Sequence, residues 1–176
     1  LPFNAPKKYW DLYDRDEIPL AENNYIPENA DPRFCINKSP EVTTHYPWPD
    51  GPGMVSEESA LTLKHGYYAC VTYVDALIGQ VLNELEGLDL ARNTIVVLWS
   101  DHGWHLGEHN FWGKHNVMHL ATRSPLIVSA PGFKAGQHSE RLVEFVDIYP
   151  SLCELAGITT VNRELQGTSF KPLLKN

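Results

Sequence analysis

The chain has 176 residues, 43% of them hydrophobic and 20% charged, an ordinary balance for a globular protein with a real core. Its formal charge of −8 argues against nucleic acid as a partner, because a phosphate backbone is held through clustered Lys and Arg. No apolar run approaches the roughly 20 residues that cross a bilayer, so no membrane span is expected.

The chain starts at Leu1 rather than Met and shows no leader pattern, which is expected either of a chain from which something was removed or of a piece of a longer protein. Residues 1–55 are rich in Pro, Asn and aromatics and have no sustained period. "LPFNAPKKYWDLY" predicts an extended entry and a short turn of helix at Lys8–Tyr13. "IPLAENNYIPENADPRF" predicts a long surface excursion, since each proline removes a backbone donor and fixes φ. A loop of that length is usually functional or packs against other chain.

The next segment predicts a long helix. Ser56 is placed to cap it, Glu57 and Glu58 suit the positive end of its dipole, and Gly87 marks its stop. Leu63, Tyr67, Cys70, Val71, Val74, Leu77, Ile78, Val81 and Leu85 recur at three and four and give one broad apolar face. His65 on this helix reads as a packed or surface histidine. "NTIVVLWSD" and "SPLIVSAPG" predict buried strands, and "ERLVEFVD" a third, alternating one. "DIYPSLCELAGI" predicts a short helix that ends at Gly157, with Pro150 in its first turn. Strands alternating with helices give an α/β architecture. Of the three cysteines, Cys35, Cys70 and Cys153, none shows C-x-x-C spacing, and the last two read as small core residues.

The chemistry crowds into "SDHGWHLGEHNFWGKH", residues 100–115, where four histidines, an aspartate, a glutamate and a lysine follow the apolar run at Thr94–Trp99. In open α/β sheets, ligand groups gather beyond the carboxyl ends of strands. Asp101 and His102 stand there side by side, and Gly103 lets the backbone turn sharply. A carboxylate and an imidazole so placed share one cation, and Lys114 returns to an anion held beside it. A hard cation would need further oxygen ligands from elsewhere. The alternative stays open from spacing alone: an aspartate that caps a turn beside a solvated histidine. "HLGEH", His105 to His109, also matches the inverted zinc-protease pattern H-x-x-E-H, which needs both histidines on one helical face. Gly103, Gly107 and Gly113 count against such a helix. His115 and His119, four apart, also stand where one helical face would present both.

With these residues in view, the sequence resembles the sulfatase family, and most of all its iduronate-2-sulfatase branch and bacterial relatives. The loop itself, the preceding "YYACVTYVDALIGQVLNELEGLDLARNTIVVLWS", and "TRSPLIVSAPG", "LVEFVDIYPSLCELAGI" and "LQGTSFKPLL" follow the family's order. The likeness is strong over residues 60–176 and looser over 1–15. It implies an α/β, alkaline-phosphatase-like sulfatase fold. Residues 1–176 would form the C-terminal portion of one catalytic domain, irregular over 1–55 and α/β over 56–176.

The resemblance implies hydrolysis of sulfate esters, of sulfated sugars or glycosaminoglycan-type substrates, with one calcium ion and a formylglycine nucleophile. It assigns Asp101 and His102 to calcium and Lys114 to the sulfate group, and it leaves Trp104, His105 and Trp112 as candidates to line a sugar pocket. Glu108 and Arg123 become supports of the loop. It also implies a periplasmic, secreted or lysosomal setting.

The departures matter equally. No Cys-x-Pro-x-Arg or Ser-x-Pro-x-Arg occurs: Cys35 precedes "INKS", Cys70 "VTYV" and Cys153 "ELAG". The family's upstream acidic pair and its sulfate-contacting histidine are not in this chain. His119 stands where iduronate-2-sulfatase relatives commonly carry an acidic residue. The chain alone is therefore expected to be inactive. It is also expected to leave apolar surface and sheet edge uncovered unless the upstream half or an oligomer covers them. A phosphatase or phosphodiesterase of the same superfamily, or a non-catalytic fragment that keeps metal binding, are the alternatives; a zinc protease is a distant one.

Overall fold

The structure is a computed structural model and describes residues 2–31, 41–42, 55–158 and 164–175. In chain order the elements are α1 (Lys7–Trp10), α2 (Glu57–Gly87), β1 (Val96–Trp99), β2 (His105–Leu106), β3 (Trp112–Gly113), α3 (His119–Thr122), β4 (Leu126–Ser129) and α4 (Ile148–Leu155). Short 3-10 turns at Arg15–Glu17, Ala91–Asn93, Glu108–Asn110, Phe145–Asp147 and Lys171–Lys175 link them. The chain divides into two compact units, Leu1–Val81 with Ser100–Pro125, and Leu82–Trp99 with Leu126–Asn176. Cys35 lies outside the described residues.

The first unit is built on the N-terminal part of α2. Ser56 caps this helix as its sequence predicts, its Oγ accepting the Ser59 amide at 3.3 Å. Val42, Ala60, Leu63 and Trp112 form the buried cluster, and Phe3, Leu20, Val55, Trp104 and Leu106 pack onto it. His65 is a core residue: its ring stacks on Trp10 with centroids 3.8 Å apart, and its Nε2 lies 2.9 Å from the Trp10 carbonyl. The entry helix forms at Lys7–Trp10, shorter than the expected turn at Lys8–Tyr13. The excursion beyond Ile18 carries no regular element through residue 31, in keeping with its prolines.

The expected apolar face of α2 is present but only partly covered. Leu63 is buried, whereas Val71, Val74, Leu77 and Val81 are exposed, with Val81 at 69%.

In the second unit β1 and β4 pair antiparallel, with Val96 opposite Ser129 and Trp99 opposite Leu126. They are not the fully buried strands that their composition predicts, since Leu98, Trp99 and Ile127 are exposed. The third expected strand, residues 140–147, does not form. A strand needs a hydrogen-bonded neighbour; here Leu142 is wholly exposed, and Phe145–Asp147 turns into a 3-10 helix through a capping box between Glu144 and Asp147. Helix α4 follows and ends at Gly157 with φ +71°, as expected of a glycine stop. Ser151, fully buried on α4, donates to the Asp147 carbonyl at 2.6 Å and accepts the Phe170 amide at 2.8 Å. That bond ties the tail to the helix. Cys153 is buried, and Cys70 in α2 is partly so. Among the described residues, no helix is long and apolar enough to cross a membrane.

Candidate active-site loop

The start of the loop of residues 100–115 is tied by three hydrogen bonds to residues 121–125 of the first unit. The Ser100 amide donates to the Pro125 carbonyl at 3.4 Å, and Ser124 Oγ donates back to the Ser100 carbonyl at 2.6 Å. The Gly103 amide donates to the Ala121 carbonyl at 2.8 Å. A Cβ on Gly103 would lie 2.0 Å from the Leu120 carbonyl oxygen and 2.4 Å from that of Arg123. Gly103 is therefore required for space, not for a left-handed turn, because its φ is not among the positive values.

These contacts fix the Asp101–His102 pair. His102 Nδ1 is 2.8 Å from the Gly103 carbonyl, which only accepts, so Nδ1 carries the hydrogen. In the neutral ring the Nε2 lone pair then faces Asp101 Oδ2 at 3.2 Å. Two electron-pair donors aimed at one point call for a proton or a shared cation between them. The Asp101 side chain is 82% exposed, so that cation has room for other ligands. The donor set fits a divalent cation as part of a site. Among the described residues no group of three or more His, Cys, Asp or Glu side chains gathers to complete it.

Strands β2 and β3 form a tight hairpin, His105 opposite Gly113 and Leu106 opposite Trp112. Gly107 turns it at φ +109°, and Glu108 braces it by accepting the Leu106 amide at 2.7 Å. His109 and Asn110 adopt left-handed backbone, and the His109 amide donates to the Asn23 carbonyl at 2.7 Å. No helix joins His105 to His109, so the zinc-protease pattern lacks the single face it requires. His115 likewise precedes α3 while His119 begins it, so those two do not share a helix.

The hairpin delivers Lys114. Its Nζ lies 5.3 Å from the Trp104 ring centroid and donates to Glu41 Oε1 at 3.0 Å. The Trp104 ring is in turn 6.1 Å from the His102 ring. Asp101, His102, Trp104 and Lys114 thus form one chain of contacts, Asp101 to His102, His102 to the indole and the indole to the ammonium.

His105 and Trp112 are not on this surface. His105 is 1% exposed, packs on Phe111 and is 3.3 Å from Asn116 Oδ1 through Nε2; Trp112 is 4% exposed in the core cluster. Neither ring presents a face to solvent, so the expectation that they line a sugar pocket gives way to a supporting role. The register puts the two rings on opposite faces of the hairpin, Trp112 with Leu106 and His105 with Gly113, and both faces are covered, a fact that spacing within the loop does not reveal. Burial pushes the His105 imidazole below its usual range, against the opposing pull of Asn116 and Glu108.

Two participants escaped the sequence reading. Asn116 holds His105 and accepts the Met118 amide at 2.8 Å. Glu41 reaches Lys114 across 73 residues and carries no local signal at all.

Comparison with known proteins matches the Sulfatase family model over residues 2–158. Iduronate 2-sulfatase of Mus musculus is 33% identical over 189 residues, covering 90% of this chain and 34% of that protein. A protein named Sulfatase from Formosa agariphila is 35% identical over 182 residues, covering 100% of this chain and 34% of its own length. This chain therefore spans about a third of the length of the curated relatives it matches. Among solved structures, one described in complex with its substrate D-glucosamine-2-N,6-O-disulfate superposes with a TM-score of 0.64 at 38% identity, covering 68% of this chain and 24% of the other.

Proposed function

Since the chain belongs to the sulfatase family and has its mixed α/β, alkaline-phosphatase-like fold, we propose that it is the C-terminal portion of one catalytic domain that hydrolyses sulfate esters of sugars. The observation that supports this reading is that Lys114 and His102, the latter beside Asp101, both neighbour the ring of Trp104.

Each residue has a distinct task. Asp101 and His102 supply two ligands to a calcium ion, which when bound would stabilise negative charge on the sulfate oxygens. His102 is held in the required tautomer by the Gly103 carbonyl, so its Nε2 presents a lone pair outward. Lys114 offers ammonium donors to the sulfate group and to charge developing on it. Trp104 excludes water beside the ammonium and presents an apolar face suited to a sugar ring. The nucleophile is a formylglycine from the upstream part of the domain, and the remaining calcium ligands come from there as well. That part, or an oligomer, covers the apolar residues that α2 leaves exposed. The working compartment is periplasmic, extracellular or lysosomal.

The test uses the complete protein with p-nitrophenyl sulfate and sulfated monosaccharides. Lys114→Ala lowers kcat/KM by about 10²- to 10³-fold, the scale on which one charge-stabilising donor acts. Asp101→Ala or calcium chelation removes activity, and this chain by itself shows none. Turnover that survives chelation and both variants overturns the proposal, as does a clear preference for phosphate esters.

A further inference from the structure

We infer that Glu41 is a positioning residue for Lys114, holding its ammonium group at the anion-binding end of the site. Its effect on turnover rests on the sulfatase reading; the geometry behind it does not.

Surface ion pairs usually contribute little, because two long side chains must be ordered in water. This pair differs in three respects. Both side chains are mostly buried, Lys114 at 24% and Glu41 at 19% exposure, with the Nζ–Oε1 distance 3.0 Å. The second carboxylate oxygen lies 3.7 Å from His115 Nδ1, so Glu41 spans two consecutive residues that follow β3. Most importantly, both ends are anchored in one core. Val42, next to Glu41, and Trp112, two residues before Lys114, belong to the same buried cluster with Ala60 and Leu63.

A lysine on a four-carbon stem samples many rotamers, and ordering it as the substrate arrives weakens each contact it makes. Glu41 does that ordering in advance. One ammonium hydrogen goes to the carboxylate, and the Trp104 face stands 5.3 Å away on the ring side. An ammonium has three donors, so hydrogens remain for an anionic oxygen. Gly113 sets the direction of the chain into Lys114: its φ of +133° is one that L side chains rarely adopt, while a Cβ there would meet Glu41 Oε2 only at an ordinary 3.9 Å.

The experiment is a double-mutant cycle in the complete protein: wild type, Glu41→Ala, Lys114→Ala and the double variant, with Glu41→Gln as a version that keeps size and an acceptor. Two readouts are taken, kcat/KM on p-nitrophenyl sulfate and the rate at which Lys114 is labelled by an amine reagent, followed by mass spectrometry. Glu41→Ala is expected to lower kcat/KM by about tenfold in the presence of Lys114 and by less than about twofold in its absence, the signature of one group acting through another. Lys114 labelling should rise severalfold in Glu41→Ala, with Glu41→Gln between the two. Losses that multiply in the double variant, or unchanged labelling of Lys114, overturn the inference. A wild type without sulfate-ester hydrolysis counts against the sulfatase reading instead, and the labelling rates still decide the role of Glu41.

Discussion

Alanine substituted at two glycines should act with opposite signs, and the structure gives the reason for each. At Gly103 the new Cβ would stand 2.0 Å from the Leu120 carbonyl oxygen and 2.4 Å from that of Arg123. Ordinary carbon–oxygen contacts begin at about 3.3 Å, so the backbone must shift by roughly 1.3 Å. That shift stretches the Gly103 amide bond to Ala121, now 2.8 Å, past any useful length. Overpacking costs about 1–3 kcal/mol and the lost bond about 1 kcal/mol, so Gly103→Ala should destabilise the protein by about 2–4 kcal/mol. Both obstructing atoms are main chain, so no side-chain rotation relieves the clash. At Gly79, in the interior of α2, nothing lies within 4 Å of the added methyl, and Gly79→Ala should stabilise by about 0.5–1 kcal/mol. Urea denaturation of the complete protein measures both. Calcium titration of Gly103→Ala should in addition show weakened binding, because Asp101 and His102 are displaced with the loop. A Gly103→Ala variant within about 0.5 kcal/mol of wild type would refute the steric argument, since that is the range of an ordinary surface change.

Two further predictions concern pH. The buried His105 resists protonation in the folded state, so its contribution to stability is full above the ordinary histidine value, about 6.5, and declines as pH falls below it. His105→Gln should flatten the stability–pH curve on the acid side of that value; parallel curves would remove His105 from the account. Asp147 is held below the usual carboxylate range by the amides of Glu144 and Thr168, at 2.9 and 2.7 Å. Its contribution is present above about pH 3.9 and is lost as pH drops through the lowered native value, so Asp147→Asn should reduce acid sensitivity and speed exchange of those two amides. Unchanged exchange of both amides would count against the capping role.

The exposed apolar residues connect the fold to the proposed function. Val71, Val74, Leu77 and Val81 recur along one helix at helical spacing, yet water reaches them here. The same sequence pattern that specifies a core face specifies it whether or not the partner layer is in the chain. The missing strand at residues 140–147 follows the same logic: alternation describes a segment able to pair, and pairing needs a neighbour.

What the sequence determined by itself is local. Ser56 caps α2 because its hydroxyl is three residues from an orphan amide, and Gly157 ends α4 because it accepts φ +71°. Asp101 and His102 converge because they are covalent neighbours. What the tertiary structure decided is everything that depends on groups distant in sequence. It turned His105 and Trp112 from the site into the core, and it made Gly103 indispensable through two carbonyls some twenty residues downstream. It also brought Glu41 to Lys114 across 73 residues. Propensity and capping act within a few residues, so a single sequence displays them. Burial and ion pairing are properties of which distant groups meet, and only packing selects those.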